Sequence, residues 1–364
     1  MTGPVRVLVV GVGNMGLSHA KAYDNNPGFE LVGLMSRTIR DKAASLPPEL
    51  QGYPLFSDFG QAMREGMPNA VSINTYPNTH AEYAIAAMDG GCHVFMEKPI
   101  ATNIEDAEAV VAKAQETHRK LVLGYILRVH PAWAKFVEIG RGLGKPLVMR
   151  MNLNQQSSGP AWNWHKNLME SLTPIVDCGV HYVDVMCQLT RAKPVRVHGI
   201  GARLSQETKV QNYGHLHVVF DDDSVGWYEA GWGPMMSEVA YFVKDIWGPN
   251  GSASIAYKPQ EGQSEARADK LSDSADIDQH TKTNAIKVHH ADIDANNNFT
   301  KPDEWISTED EPTHQELCDR EQAWFLKTIV EDIDLTESMA DAVNSLRIVL
   351  AAQESIDTRR AVEL

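Results

Sequence analysis

The sequence predicts an α/β chain of two domains: a doubly wound parallel sheet over residues 1–125, then an α+β domain with a mainly antiparallel sheet over residues 126–364. Three observations predict it. The first third alternates short, wholly apolar runs with helix-forming segments, the pattern of strands buried on both faces and covered by helices. After about Tyr125 the runs lengthen and alternate apolar with polar residues, as a sheet with one covered and one solvated face requires. The length of 364 residues, 43% of them hydrophobic, exceeds one ordinary domain and can bury two cores.

Taken in order, VRVLVV (Val5 to Val10) reads as the first strand. The segment from Asn14 to Asn25 reads as the first helix, stopped by Asn26, Pro27 and Gly28. ELVGLM follows as a strand, then a weaker helix from Arg40, a short YPLF with Ser57 and Asp58 as cap candidates, and the strand AVSIN. A helix from His80 to Asp89, the fifth strand HVFM, a helix from Ile104 to His118 and the strand LVLGY complete the first domain. In the second, LVMRMNLN, VRVHGIGAR, HLHVVFDD and SVGWYEAGW read as strands. SLTPIVDCGVHYVDVMCQLT reads as one helix, with Ser171 and Thr173 as cap candidates and Pro174 suited to its first turn. From about Lys258 to Asp303 the chain is polar with weak periodicity, an irregular connection with one strand at AIKV; HHADID (His289 to Asp294) within it is expected to be a solvated loop. Two helices, roughly Thr313 to Val330 and Glu337 to Ile356, follow.

Charge and composition narrow the function. A formal net charge of −15 argues against nucleic acid and anionic membrane surfaces, both of which favour a basic face. No window approaches the roughly 18 apolar residues of a membrane span, and the chain enters a strand at Val5 without a basic leader, so a cytoplasmic protein is expected. The four cysteines (Cys92, Cys178, Cys187, Cys318) lack CxxC spacing and read as free thiols, with no metal site expected.

The glycines point to a ligand. GVGNMG places Gly11, Gly13 and Gly16 directly after the first strand and at the mouth of the first helix. In that context Gly11 permits a tight turn, Gly13 lets the backbone approach a pyrophosphate, and Gly16 lets helix and strand pack closely. Asn14 and Met15 lie in the same loop, and the helix N-terminus offers free N–H groups to an anion. The expected ligand is a nicotinamide dinucleotide. An NAD site commonly carries an acidic residue about 20 positions on. Here Met35, Ser36, Arg37 and Thr38 stand there instead. Ser36 can donate a hydrogen bond and Arg37 can pair with a 2′-phosphate, so NADP is expected ahead of NAD, which remains the alternative.

FMEKPIATN places Lys98 just past the fifth strand, on the side of an open α/β sheet where ligands bind, with Pro99 restricting its backbone. A fixed ammonium there can polarise an oxygen on a carbon exchanging hydride; the alternative is a surface lysine paired with Glu97. In the later helix, Asp177, His181 and Asp184 fall within a stripe roughly 60° wide, apart from an apolar stripe of Val176, Val180, Val183 and Cys187. Carboxylates beside an imidazole suit proton transfer.

GVGNMG, TYPNTHAEYAIAAMDGGCHVFMEKPIATN and DCGVHYVD, in this order, resemble the Gfo/Idh/MocA family of oxidoreductases. The resemblance implies a Rossmann domain, a C-terminal domain built on a large, mostly antiparallel sheet, and an active site between them. It implies oxidation or reduction of one secondary alcohol or ketone on a sugar, cyclitol or related molecule with NAD or NADP. By the same resemblance Lys98, after Glu97, is the motif lysine beside the cofactor, with its bond to Pro99 cis. His181 is the general acid/base, Asp177 binds substrate and holds Lys98 or His181, and Asn78 and His80 lie near the nicotinamide. Arg128, before His130 and Pro131, lies where the family lines its substrate site. Trp164 and His165, in WNWHKN, suit substrate contact because an indole can cover the apolar face of a sugar. Relatives commonly pair sheet to sheet, so a homodimer or homotetramer through the C-terminal sheet is expected. Two other functions stay open: an NAD-dependent glycosidase of this fold, and a dinucleotide-binding regulatory sensor.

Overall fold

A computed structural model describes residues 3–236, 243–256, 281, 283–308 and 311–364. Its first sheet forms as the apolar runs predict. Strand β1 (Val5–Val10) leads through the glycine loop into helix α1 (Asn14–Asn25). The alternation continues with β2 (Phe29–Met35), α2 (Ile39–Lys42), β3 (Leu55–Phe56), α3 (Phe59–Gly66), β4 (Ala70–Ile73), α4 (His80–Asp89), β5 (His93–Met96), α5 (Ile104–Thr117) and β6 (Leu121–Leu123). The six strands are parallel in the order β3-β2-β1-β4-β5-β6. The order reverses at β1, so the crevice beyond the C-terminal ends of β1 and β4 is the ligand-binding position of such sheets. Burial on both faces explains the unbroken apolar run, since Val7, Leu8, Val9 and Val10 are all inaccessible. Asp58 caps α3 by accepting from the Gln61 amide at 2.7 Å, and Asn103 caps α5 through Asp106 at 2.8 Å.

The second half begins with α6 (Pro131–Gly142), β7 (Val148–Gln156), α7 (Gly159–Leu168), α8 (Pro174–Asp177) and α9 (Gly179–Thr190). Strands β8 (Pro194–Ala202), β9 (Tyr213–Phe220), β10 (Val225–Gly233), β11 (Lys244–Gly248), β12 (Gly251–Ala256), β13 (Ala285–His290) and β14 (Glu304–Ser307) follow. Helices α10 (His314–Val330) and α11 (Thr336–Thr358) and strand β15 (Val362–Glu363) come last. The nine-stranded sheet runs β14-β13-β12-β11-β7-β10-β9-β8-β15, antiparallel except where β7 and β10 run parallel. Its two faces differ. On one, Tyr228 and Leu216 are fully buried and a Cβ at Gly226 would meet Met186 of α9 at 2.5 Å. On the other, Val225, Ile200 and Trp247 are exposed.

Two details depart from the sequence reading. The single helix expected from Pro174 is divided at Cys178, whose backbone stays right-handed helical (φ −83°, ψ −33°), so the chain keeps its direction across the break. His289 and His290, expected in a loop, are the last residues of β13. They pair with β12, and their rings bond Asp303 and Glu304 at 2.7 and 2.8 Å, partners that extend the ladder past the apolar AIKV. Much of the expected irregular connection, residues 257–280 and 282, lies outside the described residues.

The chain divides into two compact units, residues 1–129 with 312–343 and residues 130–311 with 344–364. Helix α10 and the start of α11 therefore belong with the first sheet, where the division at residue 125 counts them with the second. Apolar packing is the cause: Phe325 stacks on Phe29 at 6.2 Å and lies 6.1 Å from Phe95, and Ile329 and Leu335 join the same core. The four cysteines are free and buried. Among the described residues no helix is long and apolar enough to cross a membrane.

Candidate active site

The glycine loop has the geometry a dinucleotide needs. Gly11 has φ +88°, a conformation that L side chains rarely adopt, and a Cβ there would lie 2.5 Å from the Asn74 carbonyl oxygen. A Cβ on Gly16 would lie 1.9 Å from the Gly11 oxygen, so only glycine lets α1 approach the loop this closely. A Cβ on Gly13 would meet nothing within 4 Å. The middle glycine therefore faces open space, which is where a pyrophosphate would come close. Helix α1 starts at Asn14 with no side-chain cap and no acidic residue in its first turn, leaving its N–H groups directed at that space. Asn14 is exposed and Met15 half-buried.

Ser36 and Arg37 follow the last residue of β2. The Gly11 amide donates to the Met35 carbonyl at 2.8 Å, which ties the end of β2 to the glycine loop. Ser36 is half-buried and Arg37 exposed. Asn78 is exposed in the loop after β4. His80, expected near the nicotinamide, is fully buried. Its Nδ1 lies 2.7 Å from the Pro99 oxygen and its Nε2 lies 2.9 Å from the Thr75 oxygen. Burial pushes its pKa down, although both carbonyls favour the charged form. Both ring nitrogens lie against backbone carbonyls, so His80 clamps the Lys98-Pro99 turn to the loop after β4.

Lys98 is half-buried just past β5, and its bond to Pro99 is cis. Beneath it lies a buried polar network of which the sequence reading named only Glu97. Glu97 Oε1 accepts from His19 Nε2 at 2.7 Å, and its Oε2 accepts from the Lys98 amide at 3.3 Å. The Gln322 amide donates to His19 Nδ1 at 2.9 Å. Burial works to raise the Glu97 pKa, but the hydrogen bond from His19 and the electrostatic pull of His19, Lys98 and His80 outweigh it and hold the carboxyl below the usual range. A Cβ at Gly124 would press to 3.2 Å from the same carboxylate, so a small residue is required beside it.

Glu321 lies in this network with neither carboxylate oxygen hydrogen-bonded, and burial, reinforced by the Glu97 charge, pushes its pKa well up. His19, Cys318 and Glu321 bring ligand-type atoms within 4.8 Å of one another. Both His19 nitrogens are already committed, which makes the group a neighbour of Glu97 more than a metal centre. Position could have revealed these residues: Glu321 interrupts an apolar stripe four residues from both Leu317 and Phe325, and His19 sits four from Met15 and Tyr23.

Arg128, expected at the substrate, donates to Asp341 at 2.9 Å and to Ser338 at 3.2 Å. These bonds tie the turn after β6 to α11. In the second unit, His181 is 7% exposed near the start of α9, and Asp177 is half-buried at the end of α8. Asp184, from the same predicted stripe, is fully buried and accepts from Gln188 at 3.0 Å. Val176, Val180, Val183 and Cys187 are buried as predicted.

On α7, His165 is buried, stacked on Trp232 with ring centroids 4.5 Å apart, and 2.8 Å from Ser157 Oγ through Nδ1. Burial pushes its pKa down to about 4 against the opposing charge of Asp177, so at neutral pH it is an uncharged hydrogen-bonding group. Trp164 is half exposed beside it, with ring centroids 5.2 Å apart. Sequence reasoning missed Lys244, buried in β11, whose Nζ donates to the Asn152 carbonyl at 2.6 Å and lies 4.8 Å from the Tyr182 ring. Burial pushes its pKa well down. The signal was a charge at the same strand parity as the buried Ile246.

Residues 5–125 match the Gfo/Idh/MocA oxidoreductase family with NAD-binding Rossmann fold, and residues 137–253 match the Gfo/Idh/MocA C-terminal domain. The chain belongs to this family. It is 28% identical over 239 residues to scyllo-inositol 2-dehydrogenase (NAD+) of Bacillus subtilis, covering 63% of this chain and 68% of that protein. It is 32% identical over 197 residues to UDP-N-acetylglucosamine 3-dehydrogenase of Acidithiobacillus ferrooxidans, covering 54% of this chain and 58% of that one. The chain thus spans less than two thirds of the second relative. The solved levoglucosan dehydrogenase, in complex with NADH and levoglucosan, superposes with a TM-score of 0.77 at 20% identity over 99% of both chains, a likeness of fold.

Proposed function

We propose that the chain interconverts a secondary alcohol and a ketone on a sugar, cyclitol or related polyol by hydride transfer, with NADP preferred to NAD. The observation that carries this reading is the setting of Lys98: past the end of β5, held by Pro99 and by a Glu97 that His19 fixes, in the same parallel sheet as the uncapped glycine loop. Relatives named as inositol, UDP-N-acetylglucosamine and levoglucosan dehydrogenases support the substrate class.

A bound nicotinamide ring supplies the hydride acceptor. The Lys98 ammonium polarises the oxygen on the reacting carbon and stabilises the negative charge that grows there. His181 accepts the hydroxyl proton during oxidation and returns it during reduction. Asp177 binds substrate hydroxyls and orients its partners, with neutral His165 and half-exposed Trp164 as further contacts. Ser36 and Arg37 favour NADP because no carboxylate stands from residue 35 to 40 to repel a 2′-phosphate. The open face of the nine-stranded sheet, with Ile200 and Trp247 exposed, is read as the contact of a homodimer or homotetramer.

The test offers purified protein a panel of cyclitols, sugars and keto-sugars with NADP and NAD in parallel while reduced-nicotinamide absorbance is followed. Absorbance change with one substrate class supports the proposal. Release of an aglycone without net cofactor reduction would replace it with the glycosidase, and tight cofactor binding without turnover on any compound would replace it with the sensor.

A further inference from the structure

Glu321 of α10 is 3% exposed, and among the described residues neither of its carboxylate oxygens makes a hydrogen bond. The titratable groups around it are His19 and Tyr23 of α1, Cys318 of its own helix, Glu97 past β5 and Arg128 after β6. The donors among them are directed at other acids. His19 Nε2 and the Lys98 amide donate to Glu97 at 2.7 and 3.3 Å, and Arg128 donates to Asp341 at 2.9 Å. Two carboxyls in one dry core resist ionising together, and the charge goes to the one with N–H partners. Glu97 therefore carries the charge and Glu321 keeps its proton. The pKa directions agree: burial and then the Glu97 charge push Glu321 well up, while His19 and Lys98 hold Glu97 down against its burial.

A protonated carboxyl is a hydrogen-bond donor and, once buried, needs an acceptor. Glu321 lines a cavity of about 30 Å³ together with Arg128, Trp324, Leu335, Ser338 and residues 121–123 of β6. One buried water needs roughly 10–15 Å³, so the cavity has room for water beside the carboxyl. Its wall is polar enough to hold it. Strand β6 is the last of its sheet and bonds β5 through the Lys120 carbonyl and the Gly124 amide, so Leu121 and Leu123 turn their peptide groups away from β5. Ser338 Oγ accepts from Arg128 at 3.2 Å and keeps its own proton to give. With Glu321, these groups supply the two to four polar partners that a buried water takes.

We propose that this cavity is a hydration site through which Glu321 acts as a positioning residue for Lys98: its carboxyl donates to water there and leaves Glu97 as the one charged acid beneath the turn. The inference rests on the reading of Lys98 as the group at the reacting oxygen, and its readouts need no turnover. A charged Glu97 holds the Lys98 amide and attracts its ammonium. Opening the turn to solvent frees Glu321 to release its proton. Because its folded pKa is raised, the closed turn is favoured fully below the ordinary carboxylate pKa. Above it, each pH unit favours opening by about tenfold until the raised value is reached. The order of the Lys98 turn is thereby linked to pH through a residue more than two hundred positions away in the sequence.

Two measurements on the full-length protein test this. The infrared difference spectrum of wild type minus Glu321→Gln should show, at neutral pH, one C=O band of a protonated carboxyl, at the lowered frequency of a carboxyl that donates to water. Glu97→Gln, which removes the neighbouring charge, should lower the pH at which that band is lost. Hydrogen exchange of residues 95–103, read by mass spectrometry and corrected for intrinsic rate, should rise at least about tenfold from about pH 6 to about pH 8 in wild type. It should stay level in Glu321→Gln and in Glu321→Met, which keeps the volume without a titrating proton. A side chain that only fills space would leave the pH response the same in all three proteins. The absence of the band, a band at the frequency of a carboxyl without a hydrogen bond, or an equal pH response in wild type and both variants would overturn the proposal. These outcomes are independent of whether any sugar or cyclitol is turned over, which tests the oxidoreductase reading separately.

Discussion

Replacing His19 by alanine isolates the support of the Lys98 turn. The His19–Glu97 contact is 2.7 Å long with the two side chains 0% and 10% exposed, so water cannot replace the lost partner without opening the core. A hydrogen bond to a charged group contributes about 1.5–3 kcal/mol, and the orphaned Gln322 amide adds about 1 kcal/mol. The expected loss is therefore about 2.5–4 kcal/mol for His19→Ala. Urea unfolding at neutral pH, followed by tryptophan fluorescence, measures it as a lower midpoint. The double variant with Glu97→Gln sharpens the test. With the buried charge removed, deleting His19 should cost clearly less than in the wild-type background, a coupling of at least about 1 kcal/mol. A His19→Ala cost below about 1 kcal/mol, or equal costs in both backgrounds, would refute the claim that His19 holds an ionised Glu97. The Glu97 carboxyl is held below its usual range, so its stabilisation is complete above the ordinary carboxylate pKa and is lost as pH falls through the lowered one. His19→Ala should flatten that acid-side loss.

The remaining predictions concern charge and cofactor. The Glu321 pKa is raised, so the folded state holds its proton while the unfolded chain releases it, and stability falls as pH rises from the ordinary carboxylate range. Glu321→Gln should therefore reduce the decline in melting temperature between about pH 5 and about pH 8; an unchanged slope would place the proton elsewhere. Arg37→Ala should weaken NADPH at least about tenfold more than NADH in a fluorescence titration, and equal weakening would remove the reason for preferring NADP.

The first sheet was legible because its strands are buried on both faces, so β1, β4 and β5 are nearly pure hydrophobe and their boundaries coincide with polarity changes. The three glycines were legible because each meets a separate steric demand of one loop. What escaped was tertiary. Nothing local in α10 shows that Phe325 packs on Phe29, so the helix was counted with the wrong sheet. Likewise nothing near Arg128 in the sequence shows its bond to Asp341, more than two hundred residues on. His80 was recognised as special by position, but its two backbone partners are fixed only by the folded turn at Pro99. The buried partners of Glu97 were missed because His19 and Gln322 come from opposite ends of the sequence.

The most direct test of the central claim is single-turnover formation of reduced nicotinamide in wild type, Lys98→Met and His181→Ala, with the substrate identified from the panel. Both variants should slow hydride transfer by about a hundredfold or more while binding cofactor within about threefold of wild type. Wild-type rates in either variant would contradict the roles assigned to Lys98 and His181.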